Sequence, residues 1–462
     1  MSPWTSSNRQ LPNNTRITEC LPRRLQLQKR FQAQIIGQRI GRWFESGVHH
    51  TVCRPVSRKN ARLGTAARRH FPSLESSTVI KVALLIPTLD RSGAEKQLAL
   101  LARGLPQDEF DVRVMALTRG GPFEQDLTEA GIPVTVIGKR FKCDPLPAWK
   151  LRRVLKQFQP DVLHTWLFAA HTYGRLVAGG SHRPKIVVSE RCVDEWKSGW
   201  QFQVDRWLAG RTDRFVGNSP SVSEFYEQKQ IGVGRWQTIP NAIEPLAAEP
   251  RAASARNRAR DRDALLKELN LPHDARLMGT VGRLAPQKRV RDLVWAVELA
   301  RQLNPNIYGL IIGDGPERDS LIQFAREIGV ADHVRFLGHR SDVRQILPLL
   351  DVFLLASSFE GMSNSIMEAM DAGVPVIASD IPPNRELVID GETGYLVKVA
   401  DSVGFAQFAD RLLADRALTD RMGPAARERI DRMFRPAEMI AAYADLYRDL
   451  VRAETTPIQQ NG

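Results

Sequence analysis

From residue 79 onward, short runs of β-branched and aliphatic residues alternate with segments of helical periodicity, and this alternation occurs in two successive sets. Strands that alternate with helices predict a parallel sheet covered by helices on both faces. We therefore expect an α/β protein with two doubly wound, Rossmann-like domains of similar size, whose ligands bind at the carboxyl ends of the strands. The strands predicted for the first domain are 79–86, 111–117, 133–138, 161–165, 185–189, 213–218 and 237–240. Those predicted for the second domain are 276–282, 307–313, 333–338, 351–355, 374–379 and 394–397.

A polar stretch rich in Arg and Ala, residues 246–262, separates the two sets and predicts a linker that leads into a helix. We therefore place the first domain at 79–245 and the second at 246–436. Residues 437–453 carry apolar side chains at helical spacing, which predicts a long last helix. This helix could dock back across both domains or pack on the second domain alone, and the sequence leaves both arrangements open.

Residues 1–78 differ in composition from the rest of the chain. They are rich in Arg, Gln, Asn and Ser, poor in acidic residues and interrupted by prolines, which is typical of a disordered segment. Residues 1–80 hold 14 Lys and Arg against 3 Asp and Glu, whereas the remaining 382 residues hold 51 against 49. The net charge of +13 therefore belongs mainly to this tail, and we expect no nucleic-acid partner for the folded body.

Within the tail, residues 25–44 predict a basic amphipathic helix, with aromatic and aliphatic side chains set against arginines. Its functional interpretation is attachment to an anionic membrane surface. One alternative is a misassigned start codon or an unstructured leader. Another is an organelle transit peptide, which is also rich in Arg and poor in acidic residues.

No apolar run reaches the roughly 18 residues that a membrane-spanning helix needs, so we expect no transmembrane helix. The four cysteines form no CxxC pair and no metal-ligand spacing, which favours reduced thiols in a cytosolic protein. We therefore expect a cytoplasmic location, peripheral on the inner face of the membrane if the tail attaches to it.

The segment 357–379 carries two glutamates, Glu360 and Glu368, around the point where a buried apolar strand gives way to a helix. A Gly/Ser/Asn loop before a helix places backbone N–H groups and the positive end of the helix dipole at one spot, which suits a diphosphate. Gly361 also allows a close approach of the backbone to a ligand. Because a carboxylate beside such a spot can bind sugar hydroxyls, the segment predicts a nucleotide-sugar site.

Glu368 has a second interpretation. Ser365 and Glu368 have the spacing of a capping box, in which the glutamate only caps its own helix. Alternatively, its two oxygens accept hydrogen bonds from the vicinal hydroxyls of a ribose. Both interpretations place Glu368 on the first turn of the helix.

Two other strand ends of the second domain carry candidate residues. Arg283 and Lys288 follow the predicted strand 276–282, and two cations there would neutralise the charge that develops on a leaving phosphate. The alternative is that both are solvated surface cations. Residues 313–317, GDGPE, lack the third glycine of a dinucleotide fingerprint, so they predict a tight turn into a helix and disfavour a Rossmann dehydrogenase.

The first domain offers three candidates. Residues 92–95, SGAE, follow the first strand and begin a helix, so Gly93 lies in a second turn that could face a phosphate. His164 lies at the end of a predicted strand, where ligands gather, and His171 follows seven residues later. A lone histidine is more often structural than catalytic.

Taken in order, these segments resemble the retaining glycosyltransferases of the GT-B fold, the large family 4 group (glycosyl transferases group 1). The likeness rests on the glutamate pair with EAMDAGVPVIASD, on VGRL with a following lysine, and on VRFLGHRSDV, NSPSVSEFY and IPNAIEP. It covers roughly residues 79–451. It implies two Rossmann-like domains that face each other across a cleft, with the acceptor site in the first and the donor site in the second.

The resemblance also implies roles for single residues. By position, Arg283 and Lys288 hold the diphosphate, Glu368 holds the ribose, and Glu360 holds the donor sugar and the distal phosphate. No metal ion and no cofactor are expected, because the cations and the helix N-terminus replace Mg²⁺ and the nucleoside diphosphate sugar is a co-substrate. The donor-binding residues implied are Gly93, Arg283, Lys288, Gly361, Met362, Ser363, Asn364 and Glu368.

The chain departs from the family pattern in two places. Some members carry His-x-His at the strand end before the acceptor pocket, whereas this chain has His164-Thr165-Trp166. The catalytic group is therefore Glu360 together with either His164 or His171. The usual Asn-Gly after Ile-Pro is replaced by Asn-Ala at 241–242.

These observations predict a hexosyltransferase of polysaccharide biosynthesis. It would take a nucleoside diphosphate sugar, such as a UDP-sugar, and a glycan or lipid-linked glycan as acceptor, with retention of configuration. One alternative is a nucleotide-sugar epimerase of the same fold. Another is a non-catalytic nucleotide-sugar-binding assembly protein.

Overall fold

A computed structural model describes most of the chain after the amino-terminal tail. The tail 1–78 lies outside the described residues, and so do the helix predicted at 25–44 and its proposed membrane attachment. Of the four cysteines, Cys192 lies in the described part and has a free thiol. The described residues are 79–141, 144–180, 183–246 and 251–455.

The first sheet has seven parallel strands. They are β1 (Ile80–Ile86), β2 (Phe110–Ala116), β3 (Val134–Val136), β4 (Val162–Trp166), β5 (Lys185–Glu190), β6 (Arg214–Gly217) and β7 (Trp236–Thr238). They pair in the order β3-β2-β1-β4-β5-β6-β7. We call this sheet and the helices around it the first domain.

The second sheet has six parallel strands. They are β8 (Arg276–Val281), β9 (Ile307–Ile312), β10 (Val334–Gly338), β11 (Val352–Leu355), β12 (Val376–Ser379) and β13 (Gly394–Val397). They pair in the order β10-β9-β8-β11-β12-β13, and this sheet with its helices is the second domain.

At least one helix separates each strand from the next among the described elements. Those of the first half are α1 (Gly93–Gly104), α2 (Pro122–Glu129), α3 (Pro145–Phe158), α4 (Phe168–Val177), α5 (Gly199–Ala209) and α6 (Pro220–Gln228). Those of the second half are α7 (Arg251–Glu268), α8 (Val290–Arg301), α9 (Arg318–Glu327), α10 (Val343–Ile346), α11 (Asn364–Asp371), α12 (Pro382–Leu387), α13 (Ser402–Ala414), α14 (Arg416–Met433) and α15 (Pro436–Thr455). Short 3₁₀ turns lie at Pro286–Lys288, Ala331–His333 and Leu347–Leu349. Among the helices that the structure describes, none is both long and apolar enough to span a bilayer.

Local sequence explains where several of these helices begin. Asp144 and Ser219 cap α3 and α6 by accepting hydrogen bonds from backbone N–H groups of the first turn. Proline follows each cap, at the first helical position, where its missing N–H leaves no carbonyl unpaired. The NSPSVSEFY segment is therefore a strand end, a cap and the start of α6.

The doubly wound fold predicted from the alternation is confirmed. All 13 predicted strands overlap observed ones, and β11 (VFLL) is buried along its whole length, as expected when helices cover both faces of a parallel sheet. In each sheet the strand order reverses beside its first strand, between β1 and β4 and between β8 and β11. Ligands of such sheets bind at the carboxyl ends of the strands at these two points.

The last helix, α15, packs on the first domain. Tyr443 and Tyr447 are fully buried in the core that surrounds β1 and α1, and burying one large apolar side chain stabilises a fold by about 1.5–3 kcal/mol. The chain therefore passes between the domains twice, once before α7 and once before α15. The two passes lie side by side, because the N–H of Ile243 donates to the carbonyl oxygen of Phe434 at 2.9 Å.

Candidate active site

The amino end of α11 lies at the carboxyl edge of the second sheet. Its N-cap is Ser363, whose hydroxyl accepts a hydrogen bond from the N–H of Ile366 at 3.5 Å. The first-turn N–H groups without helical partners and the positive end of the helix dipole are therefore at this edge. The helix start that the sequence predicted after Glu360 is therefore present at this edge.

The predicted capping box between Ser365 and Glu368 is not formed. Because the cap is Ser363, two residues earlier, Glu368 is the fifth residue of α11 and lies just past its first turn. Its carboxylate pairs instead with the ammonium group of Lys96 on α1. The capping interpretation is therefore wrong. The carboxylate that was predicted to bind the ribose instead forms an ion pair between the two domains.

Lys288 and Glu360 lie in contact at the same edge, with Nζ 2.5 Å from Oε1. Gln287 ties their two loops together, because its carbonyl accepts from the N–H of Ser358 at 2.9 Å and its amide donates to the carbonyl of Phe359 at 2.8 Å. A cation and a carboxylate are thus held together, where a diphosphate would compete with Glu360 for Lys288.

Arg283 follows β8 and is exposed to solvent, without an ion pair to another described residue. The GDGPE segment supports its loop. A Cβ on Gly313 would overlap the carbonyl oxygen of Gly282, and a Cβ on Gly315 would overlap that of Leu284. Only glycine fits these two close approaches, so the segment is the tight turn predicted, and it holds the Arg283 loop in place.

Gly361 contacts the first domain. A Cβ at this position would overlap the carbonyl oxygen of Arg191, and Gly361 forms an isolated antiparallel bridge with Cys192. Beside it, the N–H of Val193 donates to the carbonyl of Glu360 at 3.0 Å. The sequence suggested that this glycine admits a ligand, whereas the structure gives another reason, the backbone contact between the two domains.

The side chain of Asn364 joins three segments of the chain. Its Nδ2 donates to the carbonyl of Gly93 at 3.2 Å. Its Oδ1 accepts from Asn241 at 2.7 Å and from Gln97 at 3.5 Å. Asn241 donates in addition to the carbonyl of Met362 at 3.1 Å. Three of the predicted donor residues, Gly93, Met362 and Asn364, are therefore brought together.

Arg191, for which the sequence predicted no role, lies beside the candidate site. Its guanidinium group bonds to the side chain of Asn241, donates to the Tyr443 hydroxyl at 3.2 Å and lies 4.5 Å from the ring centre of Trp166. Burial lowers the pKa of Arg191, and no described carboxylate forms an ion pair with it. Nothing in the sequence pairs Arg191 with Asn241, since 50 residues separate them.

The turn before Gly93 is held by Glu95, another residue without a predicted role. The buried carboxylate of Glu95 accepts hydrogen bonds from the hydroxyls of Thr88, at 2.9 Å, and Ser92. Burial raises the pKa of Glu95, and these hydrogen bonds partly offset the effect. The carboxylate therefore fixes the loop that presents Gly93 to the second domain.

His164 lies inside the first domain. Its Nδ1 is 2.6 Å from the Tyr447 hydroxyl and its Nε2 is 2.7 Å from the Ser189 hydroxyl. Burial and the charge of Arg191 hold the pKa of His164 well below its usual range, so the ring is neutral. Both nitrogens are occupied within the protein, and this geometry does not support the catalytic role predicted for His164.

His171 is also fully buried. Its Nδ1 is 3.0 Å from the Thr165 hydroxyl, and its Nε2 is 3.6 Å from the Glu190 carboxylate, beyond hydrogen-bond distance. Burial lowers the pKa of His171, and Glu190 opposes the shift. His171 is therefore covered by other residues at the carboxyl edge of the first sheet and is not exposed to solvent there.

Two family models match the chain. Residues 91–245 match the model described as Glycosyltransferase Family 4, and residues 261–429 match the model described as Glycosyl transferases group 1. The chain is a family 4-like glycosyltransferase. Its family 4 half contains Gly93 and Lys96, and its group 1 half contains the loop of Glu360.

Two relatives of this glycosyltransferase align with it over different shares of their own length. It is 32% identical over 194 residues to N-acetyl-alpha-D-glucosaminyl L-malate synthase of Bacillus anthracis, which is 42% of this chain and 50% of that protein. The chain thus spans about half the length of this relative. It is 26% identical over 400 residues to UDP-Gal:alpha-D-GlcNAc-diphosphoundecaprenol alpha-1,3-galactosyltransferase of Escherichia coli, which is 82% of this chain and 99% of that protein.

Solved structures support the fold of this family member. The crystal structure of Anabaena Alr3699/HepE in complex with UDP and glucose superposes with a TM-score of 0.70 at 23% identity. The match covers 80% of this chain and 100% of that one. At this identity the likeness concerns the fold, and it agrees with two Rossmann-like domains of the GT-B type.

Proposed function

We propose that this protein transfers a hexosyl group from a nucleoside diphosphate sugar to a hydroxyl of a glycan or lipid-linked glycan, with retention of configuration. One observation carries the proposal. At the carboxyl edge of the second sheet, Lys288, Glu360 and the amino end of α11 lie together, opposite Gly93 and Lys96 of the first domain. Cations, N–H donors and two carboxylates are the groups that a nucleotide sugar requires.

The diphosphate is the most highly charged part of such a donor. The amino end of α11 supplies N–H donors and a positive dipole, while Arg283 and Lys288 supply full positive charges from a neighbouring loop. These charges stabilise the leaving diphosphate more strongly as its negative charge grows, which lowers the barrier to bond cleavage.

The two glutamates contact different parts of the donor in this proposal. Glu368 accepts hydrogen bonds from the ribose hydroxyls, which displaces Lys96 from its carboxylate and leaves that cation near the phosphates. Glu360 accepts a hydrogen bond from a hydroxyl of the donor sugar and orients the reacting carbon. Both carboxylates are held by partners that the structure shows, Lys96 and Lys288, so they are positioned before a donor binds.

The reaction proceeds on one face of the donor sugar. The bond between the anomeric carbon and the diphosphate oxygen breaks, and a bond from the acceptor oxygen to that carbon forms on the same side. The leaving diphosphate takes up the proton of the acceptor hydroxyl, so no protein base is needed. This route agrees with the burial of both His164 and His171.

The proposal gives the cations of the chain the role that a metal ion has in other transferases. In this proposal Arg283, Lys288 and Lys96 supply the positive charge around the phosphates of the donor. We therefore expect turnover without a divalent cation.

The choice of substrates follows from the relatives. The Anabaena structure was determined with UDP and glucose, so UDP-glucose is the first donor to test. By its name, the Escherichia coli relative acts on a sugar attached to diphosphoundecaprenol, and it is aligned over 99% of its length. This relationship supports a lipid-linked glycan as the acceptor.

A donor panel tests the proposal. The protein is incubated with UDP-glucose, UDP-galactose, UDP-N-acetylglucosamine, GDP-mannose and ADP-glucose, and release of the nucleoside diphosphate is measured with and without acceptors. We expect one donor of the panel to be hydrolysed slowly in the absence of an acceptor. Arg283→Ala and Lys288→Ala should lose most of this hydrolytic activity. Arg326→Ala, which removes an exposed arginine from the far end of α9, is the matched control and should keep full activity.

The other outcomes contradict the proposal. Conversion of the donor sugar into an epimer without release of nucleoside diphosphate would show an epimerase. A donor that stabilises the protein, by about 2.7 kcal/mol at 100 times its Kd, yet is neither hydrolysed nor transferred would show a binding protein.

A further inference from the structure

The loop after β5 joins the carboxyl edge of the first sheet to the Glu360 loop of the second domain. It leaves the carboxyl edge of the first sheet at Glu190, and its backbone touches the Glu360 loop through the bridge between Cys192 and Gly361. It then enters α5 at Gly199. The loop is therefore a direct neighbour of the Glu360 loop, beside which the donor sugar is proposed to bind.

A buried ionic cluster fixes the course of the loop. It consists of one lysine, three carboxylates and one phenol. Oxygen atoms of the carboxylates and of the phenol lie 2.8–3.3 Å from the lysine Nζ. Burial disfavours the charged lysine, but the three carboxylates outweigh this effect and raise its pKa, so it stays protonated. We call this set the Lys197 cluster, and its members are Lys197, Glu190, Asp194, Asp205 and Tyr226.

Three aromatic side chains are linked to the Lys197 cluster, and two of them are exposed at the surface. Trp196 is 58% exposed, and its Nε1 donates to Asp194 at 2.9 Å, which sets the orientation of the ring. Trp200 is 61% exposed and packs edge-to-face on Phe168, with the ring centres 5.9 Å apart. Phe168 begins α4 directly after β4, and the Lys197 ammonium lies 5.3 Å from its ring centre. We call Phe168, Trp196 and Trp200 the aromatic platform.

Exposed tryptophans held in place by a buried cluster suggest a binding surface. Singly exposed apolar side chains are common at protein surfaces, whereas exposed aromatic side chains whose orientation is fixed by buried residues behind them are typical of a binding site. The platform lies at the carboxyl edge of β4 and β5, beside the reversal of strand order where ligands of such sheets bind.

We propose that the aromatic platform binds a pyranose ring of the acceptor. This inference rests on the transferase activity proposed above and names the acceptor chemistry of the same site. The C–H groups on one face of a pyranose form an apolar surface that stacks on an aromatic ring, while its hydroxyls stay free to bond to nearby polar groups. The platform thus positions the acceptor sugar beside Glu360.

The charge of the loop favours a sugar over a membrane. Besides the two tryptophans, the exposed residues at 192–200 are Glu195, Ser198 and Gly199, and the one lysine of this stretch, Lys197, is buried. Aromatic belts that bind anionic membranes carry exposed Lys and Arg. Here the exposed charge is negative and would repel an anionic surface, whereas a neutral polyol is compatible with it.

The test uses the full chain and simple pyranosides. Tryptophan fluorescence is titrated with octyl glycosides of glucose, galactose, mannose and N-acetylglucosamine, and the KM of the best of these as an acceptor is measured. We expect Trp196→Ala and Trp200→Ala to weaken binding and raise that KM by about tenfold each, a typical loss for one aromatic contact. Trp196→Phe and Trp200→Phe should recover most of the affinity.

Matched controls separate the platform from other exposed tryptophans. Trp207→Ala on α5 and Trp149→Ala on α3 remove side chains that are 66% and 63% exposed, and both should leave binding and KM unchanged. UDP should raise the Tm of the platform variants as much as that of the wild type, which shows that the fold and the donor site are intact.

Three results would overturn the inference. They are an unchanged pyranoside affinity in both alanine variants, an equal loss in the controls, or the absence of any pyranoside effect on the wild-type fluorescence. If the variants instead lose salt-sensitive binding to phosphatidylglycerol vesicles, the platform is a membrane contact. The fluorescence titration needs no turnover, so it distinguishes failure of the platform from failure of the proposed transferase activity.

Discussion

Asn241, on the first pass of the chain between the domains, donates a hydrogen bond to Oδ1 of Asn364 at 2.7 Å. Asn364 is the first residue of α11, so the connection between the domains also holds the amino end of the helix that would bind the diphosphate. The same Asn241 side chain bonds to the buried guanidinium of Arg191. The geometry of the donor site thus depends on a residue outside it.

We therefore expect Asn241→Ala to weaken donor binding. The change removes one hydrogen-bond partner from Arg191 and one from the Met362 carbonyl, and a buried polar group that loses its hydrogen bond costs about 1–3 kcal/mol. The Tm should fall and the donor KM should rise, as measured by thermal unfolding and steady-state kinetics. Asn304→Ala removes a single side-chain hydrogen bond, to the N–H of Asn306, and is the control. An unchanged donor KM in Asn241→Ala would contradict the positioning role.

Glu360→Gln should lower kcat with little change in the donor KM. Glu360 is predicted to orient the reacting sugar, and the loss of one group that bonds in the transition state typically lowers kcat by about 10² to 10³. The Gln side chain has the same shape and can still accept a hydrogen bond from Lys288, so folding should be kept. A variant with wild-type kcat would show that the catalytic assignment is wrong.

Glu368→Gln should raise the donor KM and leave kcat nearly unchanged. The ribose is remote from the bond that breaks, so its contact is similar in the ground state and the transition state. Lys96→Ala removes the partner of Glu368 on the other domain and tests whether the ion pair itself matters. Competition by free UDP gives an independent readout. If Glu368→Gln binds UDP with wild-type affinity, the ribose assignment fails.

Turnover should survive EDTA. The positive charges around the diphosphate come from Arg283, Lys288 and Lys96, which a chelator does not remove. The rate of nucleoside diphosphate release should be the same in EDTA and in Mg²⁺ or Mn²⁺. Activity that is lost in chelator and restored by either cation would contradict the metal-independent mechanism.

Deletion of residues 1–76 should leave activity on a soluble acceptor nearly unchanged. The deleted segment carries most of the net charge and lies before the first strand, β1, which begins at Ile80. If the tail attaches to a membrane, the full chain should bind anionic vesicles in a salt-sensitive way and the truncated chain should not. A truncated protein that fails to fold would show that the domain boundary is placed wrongly.

The sequence predicted the fold because its signal is local. The alternation of buried strands and amphipathic helices is visible in every short window, and the cations and glutamates of the proposed donor site lie in the segments that follow β8 and β11. The direction in which a side chain points depends on residues that are distant in the sequence. His164 is at the predicted strand end, but it faces Tyr447, which lies 283 residues later in the chain.

Contacts between the domains could not be predicted for the same physical reason. Lys96 pairs with Glu368 across 272 positions, and Gly361 packs on the carbonyl of Arg191. Such pairs depend on how two separately predicted sheets face each other, and neither residue of a pair marks the other in the sequence. The sequence predicts a close approach of a ligand at Gly361, and it gives no sign of the close approach to Arg191.

The two passes of the chain between the domains have a consequence for the modularity of this protein. Because α15 belongs to the first domain, the second domain is topologically an insertion within the first rather than a unit appended to its end. The passes at Ile243 and Phe434 are hydrogen-bonded to each other, and both are anchored at Asp371, which binds the N–H of Leu246 and the guanidinium of Arg435 at 2.9 Å each. A chimera that exchanges donor specificity must therefore be joined at two points that match each other, and a chain cut off after the second domain would leave the core of the first one open.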